Sequence, residues 1–179
     1  MTEVAVGDAH RHHHFPAERA ATMTAPEQNL RRVYGAYPTG VAVVAGLVGG
    51  RPAGIAASSF VSVSLDPPLV AVCVAHTSTT WPLLRERPRI GISVLGAHQE
   101  HIGRQLGART NDRFAGVDWR STVDGCVLVA GAAAWFDCSI EQQVRSGDHD
   151  IVVFHVQDLG AAADVPPLVF HASAFRRLT

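Results

Sequence analysis

The 179-residue sequence contains no lysine, has only three cysteines and carries almost no net charge. Its 15 basic residues are all arginines, and with 16 acidic residues they give a formal net charge of -1 at pH 7. A chain with this balance has no electrostatic reason to bind nucleic acid or an anionic membrane surface. We therefore expect small-molecule ligands, and neither nucleic acid nor a membrane as a partner.

Long apolar runs are also missing. No segment approaches the roughly 20 apolar residues that a membrane-spanning helix needs, and no charged region followed by an apolar stretch opens the chain. We therefore expect a cytoplasmic protein. Hydrophobic residues make up 47% of the chain and charged residues 17%, a composition typical of a domain that buries a core.

Cysteine and motif content narrow the chemistry. Cys73, Cys126 and Cys138 are far apart and each lies in or beside an apolar run, which favours buried, reduced thiols over a disulfide framework or a zinc site. The signatures of serine hydrolases, P-loop nucleotide-binding proteins and zinc peptidases are absent, as is a Cys-Xaa-Xaa-Cys pair. We therefore expect a reaction in which a bound cofactor carries out the chemistry and the protein positions the reactants, and we expect no metal.

Residues 1–25 lack periodicity and predict a disordered tail, which includes the cluster of histidines at positions 10 and 12–14. No Cys, Asp or Glu completes a metal shell in that cluster. Residues 26–179 predict one domain, in which short helices at 26–36, 81–87 and 99–106 accompany many strands. The expected strands cover 41–48, 69–75, 90–95, 126–129, 132–143, 151–159 and 168–170. Strands separated by Gly, Asp and Pro turns are typical of a mainly β, closed or nearly closed antiparallel barrel.

Segment 54–68 is the most distinctive part of the sequence: small and hydroxyl residues pass into an apolar alternation that ends at two prolines. The pattern predicts a strand that enters a sheet from a loop of small residues. Small side chains at Gly54, Ala56 and Ala57 would let a flat ring lie against the backbone, while Ser58 and Ser59 offer hydrogen bonds. The alternative is a strand whose serines face water.

A second polar patch, Ser78, Thr79 and Thr80, precedes a predicted helix. Free N–H groups and hydroxyls at a helix start suit a phosphate, although the same residues are also ordinary N-caps. In a third patch, Arg113 could pair with a phosphate and Phe114 could cover a ring, or Arg113 forms a surface ion pair.

The fourth patch is the predicted turn Gly147-Asp148-His149-Asp150, which lies before an apolar strand. Gly and Asp are ordinary turn residues and need no function. His149 has a flat ring and a tunable proton, so it could contact a second ligand or simply face solvent.

Taken in order, five segments of the chain resemble the flavin reductase family, and the likeness runs from about residue 30 to 178. They are Tyr37-Pro38-Thr39-Gly40-Val41, 54–60, 63–70, 112–117 and Gly147-Asp148-His149. The resemblance is greatest to the small reductase components of two-component flavin-dependent monooxygenases. It implies an antiparallel split β-barrel that forms a homodimer, binds FMN or FAD, and reduces it with NADH or NADPH. A separate monooxygenase would receive the reduced flavin.

The resemblance also implies roles for the polar patches. Gly54, Ala56, Ala57, Ser58 and Ser59 would line the flavin ring and its ribityl chain. The remaining flavin contacts would come from Cys73, Val74, Ala75, Ser78, Thr79, Thr80, Arg113 and Phe114. His149, with Gly147 and Asp148 beside it, would lie where the nicotinamide approaches. Two alternatives stay open: a non-catalytic flavin-binding protein, and a split-barrel flavoenzyme that acts directly on an organic substrate.

The sequence departs from the family pattern at several positions. Ala56 stands where threonine is common, Ser93 where asparagine is usual, and Gln105-Leu106 where Arg-Phe often occurs. His155 replaces a small residue, and residues 171–173 replace a frequent Arg-Gly. A lost hydrogen bond is worth about 1 kcal/mol, so the changes at Ala56 and Gln105 bear on flavin affinity and on the choice between FMN and FAD.

Overall fold

A computed structural model describes residues 27–108 and 112–178. The tail expected at 1–25, its histidines and Asn111 lie outside the described residues. Within these ranges the helices are α1 (Glu27–Tyr34), α2 (Trp81–Leu84) and α3 (Glu100–Gly107), with a 3-10 turn at Ala97–Gln99. The strands are β1 (Thr39–Gly40), β2 (Ala42–Val48), β3 (Arg51–Ala57), β4 (Val61–Leu65), β5 (Pro68–Ala75), β6 (Ile90–Val94), β7 (Trp119–Ser121), β8 (Val127–Val129), β9 (Ala134–Ser146), β10 (His149–Ala161), β11 (Leu168–His171) and β12 (Ala174–Arg177).

Seven strands form one antiparallel sheet in the order β3-β2-β6-β9-β10-β5-β4. A flat sheet of this size would separate its outer strands by roughly 29 Å. Only residues 58–60 connect β3 to β4, and such a link spans at most about 14 Å. The sheet therefore curls until its two ends approach, which confirms the predicted mainly β, split-barrel architecture. The strand orders β1-β11-β12 and β7-β8 form the two smaller sheets.

The barrel buries one apolar cluster inside and a second outside its wall. Val44, Val72 and Phe154 belong to the inner cluster, whereas Val43 and Leu106 belong to the outer one, which α3 covers. Because neighbouring side chains on a strand point to opposite faces, Val43 and Val44 lie in different clusters. This explains why β2 reads as a continuous apolar run.

Several boundaries differ from the sequence predictions. Residues 54–57 are part of β3 and not a loop, because the chain reverses in a two-residue turn at Gly49 and Gly50, whose φ values are +58° and +76°. α2 ends at Leu84, so the helix predicted to reach residue 87 is one turn long. Pro88 disfavours the helical conformation in the residue before it.

The strands that the sequence did not predict are short and lack a hydrophobic signal. All three residues of β7 are exposed, so the strand has no apolar alternation. β12 follows a turn at Ala172 and Ser173, whose φ values are +49° and +61°. Glycine is the usual residue at such positive φ values, and its absence from this turn left the hairpin unpredicted. None of the helices described is long and apolar enough to cross a membrane.

Candidate functional site

Three cavities open beside β3, the strand at one end of the seven-stranded sheet. The central cavity, of about 340 Å³, is lined by residues 55–59, 73–75, Ser78, Leu106, Gly107, Arg113 and His149. The arginine cavity, of about 620 Å³, is lined by residues 51–54, Thr79, Thr80, Leu83, 112–114 and Trp119. The phenylalanine cavity, of about 430 Å³, is lined by Val41, 56–58, Gly103, Arg104, Gly107, Ala108, Phe170 and Phe175.

The central cavity brings together most of the predicted site. Ala56, Ala57, Ser58, Ser59, Cys73, Val74, Ala75, Ser78, Arg113 and His149 all line it. Gly54, Thr79, Thr80 and Phe114 line the arginine cavity instead. Gly147 and Asp148 line none of the three cavities. Arg113 belongs to both the central and the arginine cavities, so it marks their junction.

Ser59 closes the edge of β5 beside the central cavity. The last pair between β4 and β5 is Val61 with Ala71, so β5 loses its strand partner there. The Cys73 N–H donates to Ser59 Oγ at 2.9 Å, and the Ser59 hydroxyl donates to the Cys73 carbonyl at 3.2 Å. Ser59 therefore satisfies backbone groups that a strand would otherwise pair, and the exposed Ser58 keeps its hydroxyl available for a ligand.

Gly54 has a structural role that the sequence reading missed. It is buried, and a Cβ there would lie 3.0 Å from the Phe114 ring, from Ala45 Cβ and from the Val44 carbonyl oxygen. Phe114 is itself only 6% exposed. Gly54 therefore makes room for Phe114, which leaves Ala56 and Ala57 as the small side chains beside the central cavity.

The residues of the predicted phosphate patch lie at the junction of the central and arginine cavities, and one of them has the N-cap role that the sequence left open. Ser78 Oγ accepts the Trp81 N–H at 3.1 Å, and α2, with four residues, contributes little dipole. Arg113 supplies the positive charge. Its Nη1 lies 3.4 Å from the Gly54 carbonyl oxygen and 3.3 Å from Thr80 Oγ1, so the guanidinium is held beside the threonine hydroxyl.

His149 lies at the tip of the β9–β10 hairpin. It is the first residue of β10, after the two-residue turn that Gly147 makes possible with its φ of +65°. Across the sheet it is paired with Ser146 on β9 and Ala75 on β5. Its Nδ1 lies 2.8 Å from Asp148 Oδ1, a contact that lowers the Asp148 pKa below its ordinary value. In this arrangement Nδ1 faces Asp148, and Nε2 is left for a ligand.

A second histidine, His76, ties the phosphate patch to this hairpin. His76 Nε2 donates to Asp150 Oδ1 at 3.0 Å, and Gln143 Nε2 donates to Asp150 Oδ2 at 2.7 Å. The His76 backbone N–H donates to the Asp148 carbonyl at 3.0 Å. The hydrogen bond from His76 is the main cause that lowers the Asp150 pKa, and the Gln143 contact adds to it. Sequence reasoning missed these residues because only the β5–β10 register brings them together.

Two positions where the chain departs from the family pattern have clear structural roles. Gln105 Nε2 donates to the carbonyl oxygens of Arg113, at 3.0 Å, and Ala115, at 2.8 Å, so it anchors the segment that carries Arg113. Ser93 is fully buried, and its Oγ accepts the Val129 N–H at 3.0 Å. Among the described residues, no group of three or more His, Cys, Asp or Glu side chains could hold a metal.

Comparisons with known proteins identify relatives of this chain. A probable flavin reductase from Rhizobium meliloti is 43% identical over 71% of this chain and 41% of its own length. The reductase subunit HsaB of a flavin-dependent monooxygenase from Rhodococcus jostii is 32% identical over 83% of this chain and 76% of its own. The structure of the Streptomyces globisporus C-1027 NADH:FAD oxidoreductase SgcE6, in complex with NAD and FAD fragments, superposes with a TM-score of 0.81, at 37% identity over 86% of this chain and 93% of that one.

The chain spans about half the length of two curated relatives from Rhizobium meliloti, 41% of one and 56% of the other. Residues 34–179 match the family model described as flavin reductase like domain. The match covers the whole barrel, every cavity-lining segment and the hairpin that carries His149. The chain therefore belongs to the flavin reductase-like domain family.

Proposed function

We propose that this protein is an NAD(P)H-dependent flavin reductase that reduces FMN or FAD and supplies the reduced flavin to a separate monooxygenase. The central cavity is the observation that carries the proposal. It joins a free strand edge, small side chains, a cation and a histidine from segments far apart in the sequence. One relative is the reductase subunit of a monooxygenase, and another was solved with NAD and FAD fragments.

The residues of the central cavity fit a flavin. Among the described residues, β3 pairs only with β2. Its other edge can therefore offer backbone N–H and C=O groups to the amide-like edge of the ring. Ala56 and Ala57 bring little bulk between that edge and a flat ligand. Ser58 offers a hydroxyl, and Arg113 offers a guanidinium that suits the phosphate of FMN or FAD.

When bound, flavin supplies the hydride-accepting ring and NAD(P)H supplies the hydride. The protein's contribution is to hold the two in contact, because fixed orientation removes much of the entropic barrier to a reaction between two ligands. Cys73 and Ala75 on β5 form one wall of the cavity, and His149 on β10 lies next to that wall. Asp148 holds the imidazole, so His149 orients the nicotinamide without having to move a proton.

Steady-state oxidation of NADH and NADPH, each with added FMN and FAD, tests the proposal. We expect nucleotide oxidation that depends on added flavin. No oxidation in any of the four combinations would overturn it. Flavin binding without nucleotide oxidation would identify a non-catalytic flavin protein, and turnover of an organic substrate by tightly held flavin would identify a different flavoenzyme.

Substitution of His149 by alanine tests its role. We expect His149→Ala to raise the KM for the nucleotide about tenfold, or about 1.4 kcal/mol, and to leave the Kd of flavin within about twofold. His101→Ala, at an exposed histidine on α3, is the matched control and should change neither constant. Equal loss of nucleotide use and flavin binding would contradict the assigned role.

We further propose that two copies of the chain associate through the outer face of the barrel. Register places Ile151 opposite Val144 on β9 and Cys73 on β5, and the first two are 37% and 41% exposed. Val61 and Val63 on β4 are 53% and 52% exposed. A contiguous apolar face of this kind is typical of an interface. Because it reaches Cys73, the partner subunit would lie next to the central cavity.

A further inference from the structure

We infer that the arginine cavity binds the adenosine diphosphate part of FAD, and that this chain therefore prefers FAD to FMN. The inference rests on the proposed function, which places the flavin ring in the central cavity. FMN ends at one phosphate, whereas FAD continues into a pyrophosphate, a ribose and an adenine. The flavin that fills both cavities gains contacts that FMN lacks.

The central and arginine cavities share Arg113 as a lining residue, beside the predicted phosphate patch. Arg113 lines both, Ser78 lines the central cavity, and Thr79 and Thr80 line the arginine cavity. A ligand that extends from the ring site past Arg113 would therefore reach the larger cavity. At about 620 Å³ against 340 Å³, the arginine cavity is within the range of about 300–1,000 Å³ typical of small-molecule sites.

The charges in the arginine cavity match a pyrophosphate. Arg51, the first residue of β3, is exposed and makes no side-chain hydrogen bond or ion pair among the described residues. Together with Arg113 it gives two guanidinium groups for two phosphates. Asp112, the one carboxylate among the described lining residues, is engaged, because its Oδ1 accepts the Phe114 N–H at 3.1 Å.

The same cavity presents apolar surface for an adenine. Trp119 is 37% exposed and Leu83 is 50% exposed, and both line the cavity. An indole is a good stacking partner for a base because both are flat π-systems. Trp119 lies on the short strand β7, whose residues are otherwise polar and exposed, so core packing does not account for its presence there.

The phenylalanine cavity is a poor alternative for the pyrophosphate. Its arginine, Arg104, is already paired with Glu100, at 2.9 Å from Nε and 2.7 Å from Nη2 to the same Oε1 atom. The Arg104 guanidinium also lies 4.9 Å from the centre of the Phe175 ring. A phosphate there would compete with an existing carboxylate, and most of the other lining groups are apolar.

The test compares variants at two arginines, Arg51 in the arginine cavity and Arg104 in the phenylalanine cavity. The Kd values of FAD and FMN are measured by flavin fluorescence without nucleotide, for the wild type, Arg51→Ala, Arg51→Lys and Arg104→Ala. We expect the wild type to bind FAD more tightly than FMN. Arg51→Ala should weaken FAD binding about tenfold, as for a lost charge-assisted contact, and change FMN binding less than about twofold. Arg51→Lys should give an intermediate loss, and Arg104→Ala should leave the FAD/FMN ratio unchanged.

Three results would overturn the inference, and they have different meanings. Equal weakening of FAD and FMN by Arg51→Ala would show that Arg51 does not contact the adenosine diphosphate part. An unchanged FAD/FMN ratio with a raised KM for NADH, measured with FMN as the flavin, would assign the cavity to the pyridine nucleotide. No binding of either flavin by the wild type would remove the proposed function as well. Because Arg51 is exposed, its replacement should leave the thermal unfolding midpoint of the protein unchanged, which is checked alongside.

Discussion

The β9–β10 hairpin carries one aspartate that is buried, near its middle, and another that lies at its exposed tip. In the middle, Asp137 is 5% exposed and lies 2.8 Å from Arg89 Nε. At the tip, Asp150 meets His76 and Gln143, and residues 141–148 around it are all exposed. The same two strands therefore place one carboxylate inside the protein and another beside the exposed tip of the hairpin, next to His149.

The surroundings of Asp137 destabilise an unpaired charge, as the pKa shifts of neighbouring groups show. Burial is the main cause that raises the pKa of Cys138 to about 12, and the neighbouring Asp137 adds to it. Burial likewise raises the pKa of Cys126. The hydrogen bond to Asp137 raises the pKa of Arg89 above its ordinary value. In the middle of the hairpin, the Asp137 charge is stabilised by its pairing with Arg89. At the tip, the Asp150 charge is stabilised by His76, by Gln143 and by access to solvent.

Removal of Asp137 should therefore have the largest effect. Asp137→Ala leaves the part-buried Arg89 without its partner, a loss of about 3 kcal/mol in the free energy of unfolding, the lower end of the range for a buried pair. Urea unfolding measures it. Because well-packed apolar residues often replace a buried ion pair at little cost, the double variant Arg89→Met/Asp137→Leu should recover most of the loss. If the double variant instead loses the sum of the unfolding free energies that the two single variants lose, the pairing is not what stabilises the two residues.

A charge placed on the tip should break the dimer and leave the fold intact. Ile151→Asp puts a carboxylate on the proposed interface twice, once in each subunit. We expect the dimer dissociation constant to rise on the order of 100-fold, about 2.7 kcal/mol, as for unpaired charges in an interface. Light scattering across a dilution series measures the change. The unfolding free energy of the monomer should change by at most about 1 kcal/mol, because Ile151 is partly exposed there.

Val123→Asp is the matched control, since Val123 is fully exposed and lies between β7 and β8, neither of which belongs to this face. It should leave the mass in solution unchanged. If the wild type is already a single chain at all concentrations, or if both variants dissociate equally, the interface lies elsewhere.

The positions of the longer strands were predictable from the sequence because a buried strand face repeats an apolar residue at every second position. β5 and β10 follow this rule, and their residues Val72, Val74, Val152 and Phe154 are buried as a result. The sequence also selected most of the residues that line the central cavity. The small and hydroxyl residues of segment 54–59 were chosen from their chemistry, whereas Cys73, Val74 and Ala75 were chosen from the family resemblance. Cys73 was the exception to the expected burial: it is exposed, on the outward face of β5.

Contacts between distant residues were not predictable. The pairing of Ser59 with Cys73 depends on where β4 ends, and that of His76 with Asp150 joins residues 74 positions apart. The close fit of Gly54 against Phe114 looked like space for a ligand in the sequence. Gln105 looked like a lost contact, yet its amide holds the segment of Arg113. Local patterns specify strands, whereas register and side-chain geometry decide which residues meet.

Asp150, at the tip of the hairpin, should make a small contribution to stability that depends on pH. The hydrogen bonds from His76 and Gln143 hold the pKa of Asp150 below its ordinary value of 3.8, so the folded state releases this proton more readily than the unfolded chain. The resulting stability is fully present above that value and is lost as the pH falls through the lower, folded-state pKa. Asp150→Asn removes the titration and keeps groups that can bond to both partners.

The difference in unfolding free energy between the wild type and Asp150→Asn should therefore be constant above about pH 5 and shrink below about pH 4. Urea midpoints measured from pH 3 to pH 7 follow it. Asp164→Asn, at an exposed aspartate, should run parallel to the wild type throughout. If Asp150→Asn also stays parallel down to pH 3, the His76–Asp150 contact does not stabilise the fold. The tip would then differ from the middle in having no ionic contribution at all.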